Sequence, residues 1–139
     1  MERRLVTKKT GGTKRRSLSF RFFPNGTSTT PMTTVAGTLR DPGGFVADVT
    51  RTATAGVFTV TMRDPAYRVV GVHPSVQVSA NNIDLYAQAG NISNEGTASA
   101  LAFNVRLMTG STATDMTANT NASVSVTLEV EDSGAGGVA

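Results

Sequence analysis

The sequence predicts an all-β fold, and three features point there. Thr and Ser supply 21 and 11 of the 139 residues. Thr, like Val, suits the pleated, half-exposed surface of a strand better than a helix. Glu and Lys, which extend helices well, number only four and three. The 14 Gly are spread along the chain, so turns recur at short intervals. The length suits one domain. A globule of this size buries roughly two thirds of its unfolded surface and folds without covalent staples. There is no Cys, which excludes disulfides and thiolate metal sites.

Residues 1–16 show no apolar periodicity, and Gly11-Gly12 interrupts any regular element. They predict a basic arm that lacks fixed structure alone and is extended when bound. Fully stretched, such an arm reaches about 50 Å. Leu18, Phe20 and Phe22 then alternate with Ser17, Ser19 and Arg21, a period of two that marks a first strand. Phe23-Pro24-Asn25-Gly26 reads as a turn. A polar loop over 27–34 leads into a short strand near 32–39, which Asp41-Pro42-Gly43-Gly44 ends.

A hairpin follows, with strands over 45–51 and 56–63 joined by residues 52–55. In its second strand Phe58, Val60 and Met62 share the inward face. Asp64-Pro65 is expected to end that strand. The next, over 69–79, is expected to break or bulge at His73-Pro74, because Pro donates nothing to a ladder. A strand over 83–89 places Ile83, Leu85 and Ala87 on one face, and 91–96 is a turn cluster. Over 100–108, Leu101, Phe103, Val105 and Leu107 alternate with Ala102, Asn104, Arg106 and Met108. Residues 109–121 read as a polar loop. The last strand, 123–131, faces Val124, Val126, Leu128 and Val130 inward and Ser123, Ser125, Thr127, Glu129 and Glu131 outward.

About eight short strands with frequent turns predict a jelly-roll-like sandwich or barrel; an immunoglobulin-like sandwich is the runner-up. The expected organisation is an arm over 1–16, a β domain over 17–132 and a flexible tail over 133–139. No apolar run is long enough for a transmembrane helix, and no apolar stretch near Met1 suggests a secretory signal.

Charge divides the chain. Residues 1–23 carry Arg3, Arg4, Lys8, Lys9, Lys14, Arg15, Arg16 and Arg21 against Glu2, a balance of +7, while the remainder carries −4. These eight cations are the candidate partner-binding residues. Such an asymmetry suggests an arm that seeks a negative partner. Binding to nucleic acid is disfavoured, because no aromatic residue for base stacking precedes Phe20. Docking on protein carboxylates, which arginines grip bidentately, is favoured.

No catalytic site is expected. His73 is the only His, and one His without Cys makes no structural zinc site. No Gly-x-Ser-x-Gly elbow frames a serine. Asp41, Asp48, Asp64, Asp84, Glu95 and Asp115 are scattered singly, mostly at turns, where they serve their own backbone. No calcium loop or phosphate loop is present, so no cofactor is expected.

The stretch 37–64, GTLRDPGGFVADVTRTATAGVFTVTMRD, resembles small β-rich structural proteins of tailed-phage virions. Val49, Arg51, Gly56, Val57, Phe58, Thr59, Val60, Thr61, Met62 and Asp64 carry the resemblance. Phe23-Pro24-Asn25-Gly26 and the closing strand fit the same pattern loosely. The resemblance implies a capsid decoration, or cement, protein on the virion surface, with the major capsid protein and its own copies as partners. A homotrimer is the leading assembly and a dimer the alternative. No membrane partner is expected. Tail- or fibre-associated placement with receptor or glycan binding is the other virion reading. The arm is not part of the resemblance, so its docking role rests on charge.

Overall fold

The computed structural model describes residues 15–24, 26–65, 67–78, 85–115 and 123–132. Nine strands are formed among them: β1 (Arg15–Phe22), β2 (Leu39–Arg40), β3 (Val46–Arg51), β4 (Val57–Pro65), β5 (Tyr67–Gln77), β6 (Leu85–Ser93), β7 (Ala100–Thr109), β8 (Thr112–Ala113) and β9 (Ser123–Asp132). The protein is all-β, as its composition predicts. A single 3-10 turn, Met32–Thr34, is the one helical piece among the described residues.

The strands form two antiparallel sheets. Sheet A has the order β2-β1-β9-β5, and sheet B has β3-β4-β7-β6 with β8 added alongside β7. The first and last strands are therefore neighbours, with Arg15 opposite Glu131 and Phe22 opposite Val124. Alternation sorts the side chains. Leu18, Phe20 and Phe22 from β1 and Val124, Val126, Leu128 and Val130 from β9 are buried, as expected. Phe58, Val60 and Met62 of β4 and Leu101, Phe103, Val105 and Leu107 of β7 meet them from sheet B in one core. The rings of Phe22 and Phe58 pack across the sheets with centroids 5.2 Å apart, tilted at 50°, an arrangement aromatic pairs favour.

Several expectations are corrected. The strand expected near 32–39 is instead the 3-10 turn followed by the two-residue β2. Met32 is buried there, and Thr38 donates to its carbonyl at 2.8 Å, so the polar Thr run bends back on itself instead of pairing. β4 ends at Asp64-Pro65, as expected, with both residues inside the strand. The pairing with β3 has already stopped at Met62, so Pro65 lies beyond its neighbour and its missing N–H costs no bond on that side. β4 of sheet B ends at Pro65 and β5 of sheet A begins at Tyr67.

His73-Pro74 does not interrupt β5. Among the described residues β5 is an edge strand paired only with β9, where Pro is tolerated. The irregularity lies instead between Val69 and Gly71. Val70 is the extra residue, and the Glu95 carboxylate accepts the Val69 N–H at 2.7 Å. This ties the turn after β6 in sheet B to the bulge in sheet A. β6 begins at Leu85 and runs through Ser93, past the expected end; Ile83 lies outside the described residues. β8, absent from the expected loop over 109–121, folds back on β7 through Met108 and Ala113.

Residues 1–14 and 133–139, which hold most of the expected arm and all of the expected tail, lie outside the described residues. Arg15 and Arg16 do not belong to an arm: both are part of β1. On its side away from β9, β1 pairs with β2 only at Arg21 and Phe22.

Candidate functional site

The pairing register fixes what the outer face of sheet A displays, because residues opposite one another in a ladder point the same way. Arg15, Glu131 and Arg68 form one row across β1, β9 and β5. Ser17, Glu129 and Gly71 form the next, followed by Ser19, Thr127 and His73. The fourth row is Arg40, Arg21, Ser125 and Ser75. The face is polar throughout and carries hydroxyls down its middle.

Charge is distributed unevenly along it. At one end Arg15 pairs with Glu131 at 3.7 Å, and Arg68 is the ladder partner of Glu131 on β5, its side chain lying beside Gly96. At the other end Arg21 and Arg40 stand opposite one another. Arg21 donates from Nε to Ser125 Oγ at 3.1 Å. The Arg40 guanidinium lies 5.4 Å from the centroid of the Phe23 ring, a cation–π contact. Among the described residues neither is paired with a carboxylate. A groove of about 320 Å³ runs past them, lined by Ser19, Arg21, Arg40, Pro42, Ser125 and Thr127.

Of the eight predicted partner-binding cations, Arg3, Arg4, Lys8, Lys9 and Lys14 lie outside the described residues. Arg15, Arg16 and Arg21 stand on β1, and Arg21 alone of them lines the groove. Arg40 was not among the predicted residues. Its partnership with Arg21 depends on a two-residue strand after a long Thr-rich loop, and no periodicity in the sequence signals it.

A second charged pair is structural. Arg51, at the end of β3, makes a two-pronged contact with Asp115, from Nε to Oδ1 and from Nη2 to Oδ2, both at 2.7 Å. Asp115 Oδ1 also accepts the Gly56 N–H at 2.8 Å. The carboxylate thus staples the β3–β4 turn to the segment after β8. Its hydrogen bonds from Arg51, helped by the one from Gly56, hold its pKa below the ordinary value near 3.8 against the opposing effect of desolvation. The same contact raises the pKa of Arg51. Sequence reading took Asp115 as an isolated turn residue and missed the pair, since 64 positions separate its members.

His73 is exposed on the outer face of β5, opposite Thr127, and its ring leans over Gly71. Among the described residues no group of three His, Asp or Glu side chains is placed to hold a metal ion. No helix there is long and apolar enough to cross a membrane. A depression of about 480 Å³ on sheet B, lined by Thr52, Val57, Asn104, Arg106 and Met108 among others, offers one cation and no acid or nucleophile pair. No protein-family model, curated protein or solved structure matches this chain.

Proposed function

We propose that the chain is a non-enzymatic capsid decoration protein of a phage virion. It binds the outer surface of the major capsid protein shell and stabilises it. The observation that carries this reading is the anchorage of β1. The strong cationic run continues into the first two residues of β1, Arg15 and Arg16, and from Arg15 onward β1 is zipped to β9 over its whole length. A basic segment starting from so rigid a strand transmits load from a neighbouring subunit directly into the sheet. Its cations suit carboxylates on that subunit.

The double sheet supports a jelly-roll-like reading. Its first strand pairs with its last, β5 lies on the other side of β9, and β4 pairs with β7. The pairing of first with last strand is what winding one long hairpin produces, whereas the adjacent β3–β4 and β6–β7 hairpins of sheet B are also at home in an immunoglobulin-like sandwich. A shell offers many equivalent sites, and a homotrimer suits threefold junctions. Several contacts per copy raise avidity through effective concentration.

The test is removal of residues 1–14, which leaves β1 intact. The truncated protein is expected to stay folded and to lose shell binding, measured as copies per major capsid protein in purified particles by mass spectrometry. Full occupancy without the segment would refute the docking role. Absence of the full-length protein from particles would refute the virion reading altogether.

A further inference from the structure

The geometry points to an oxyanion site, built for a phosphate- or sulfate-type group, between Arg21 and Arg40 on the outer face of sheet A. It stands independently of the capsid reading.

Arg21 and Arg40 are ladder partners on adjacent strands, and both border the same groove. Like charges so placed repel, and they are usually offset by an acid. Three other arginines are answered: Arg15 by Glu131, Arg51 by Asp115, and Arg63 by the carbonyls of Gly44 and Val46. Here, among the described residues, no acid answers. The nearest in sequence, Asp41, directs Oδ2 to the Val46 N–H at 2.7 Å instead.

Both groups are braced in ways that leave their donors available. Arg21 is held through Nε, so its two terminal nitrogens remain as a fork. Arg40 is held by the face of the Phe23 ring, which takes none of its N–H donors. Ser125 accepts from Arg21 and keeps its own proton to give, and Ser19 and Thr127 add hydroxyls along the same groove. Two arginines bordering one groove from different strands, with hydroxyls along it, suit an anion with three or more oxygens better than the two of a carboxylate. The groove, about 320 Å³, exceeds the anion itself and leaves room for a group esterified to it.

Inorganic phosphate is titrated into the full chain at fixed ionic strength, with backbone amide and arginine Nε–H signals followed by NMR. Saturable shifts are expected at Ser19, Arg21, Arg40, Ser125 and Thr127. Arg40→Gln is expected to weaken binding about tenfold or more, as loss of a charge-assisted contact does. Without phosphate, Arg40→Gln should melt no lower than the parent, because it relieves repulsion; with phosphate, only the parent should gain stability. Phenyl phosphate binding more tightly than inorganic phosphate would identify an esterified ligand, and equal binding a free oxyanion. Shifts that never saturate, or that persist unchanged in Arg21→Gln/Arg40→Gln, would overturn the site.

Discussion

At the scale of single residues, Asp115 bears most on the fold. It accepts three hydrogen bonds, two from Arg51 and one from Gly56. Because its folded pKa lies below its unfolded one, its contribution is present above roughly pH 4 and fades as the pH falls through the folded value. Asp115→Asn is therefore expected to lower the melting temperature clearly at neutral pH, with the gap from the parent narrowing in acid. A gap that stays constant with pH would deny the carboxylate this role. Gly56 is the second such residue. Its φ is +70°, and a Cβ there would sit 2.5 Å from the Thr114 carbonyl oxygen. Gly56→Ala is expected to cost about 2 kcal/mol or more in urea unfolding. Gly110→Ala shares the left-handed backbone, with φ +61°, but meets no neighbour, and should cost only about 1 kcal/mol.

At the scale of elements, the bulge in β5 and its latch tie the two sheets together outside the core. Glu95→Ala removes the acceptor of the Val69 N–H. Hydrogen exchange at that amide should accelerate, while global stability falls by only about 1 kcal/mol, as for an exposed bond to a charged group. Phe58→Ala opens the core where the sheets interlock and should cost about 3–5 kcal/mol. The elements also show where sequence is legible. β1, β3, β4, β7 and β9 could be read because Leu18, Phe20 and Phe22, or Val124, Val126 and Leu128, bury one face and leave the other wet. Pro74 misleads because tolerance of Pro depends on which neighbour is missing, a property of the sheet and not of the strand. β2 and β8 are too short for alternation to register. Arg40 of the candidate site was hidden for the same reason, whereas Arg21 was visible as part of a charge-rich stretch.

At the scale of the whole molecule, closure joins the first and last strands among the described residues. Ser19 and Thr127 meet 108 positions apart, and sheet A is incomplete until β9 has arrived between β1 and β5. Loop closure of that length must precede its reward, so refolding in stopped-flow experiments is expected on the millisecond-to-second scale. Refolding in microseconds would mean that sheet B alone gives the signal. Exposed strand edges are a hazard during such a search. Along the side of β1 that β2 leaves open, Arg15 and Arg16 are charges of the kind that discourage edge-to-edge pairing.

The antiparallel seam of β1 and β9 has a practical corollary. Arg15 and Glu131 are ladder partners, about 5 Å apart at Cα. Polypeptide added ahead of β1 and polypeptide added behind β9 therefore leave from the same corner of the body. A short linker could join the two there, and new ends could be cut in a surface turn such as the one near Gly110, yielding a circular permutant with the same sheets. Cargo genetically fused directly ahead of Arg15 or directly behind Asp132 would be presented at one spot, leaving the opposite end of the body unencumbered.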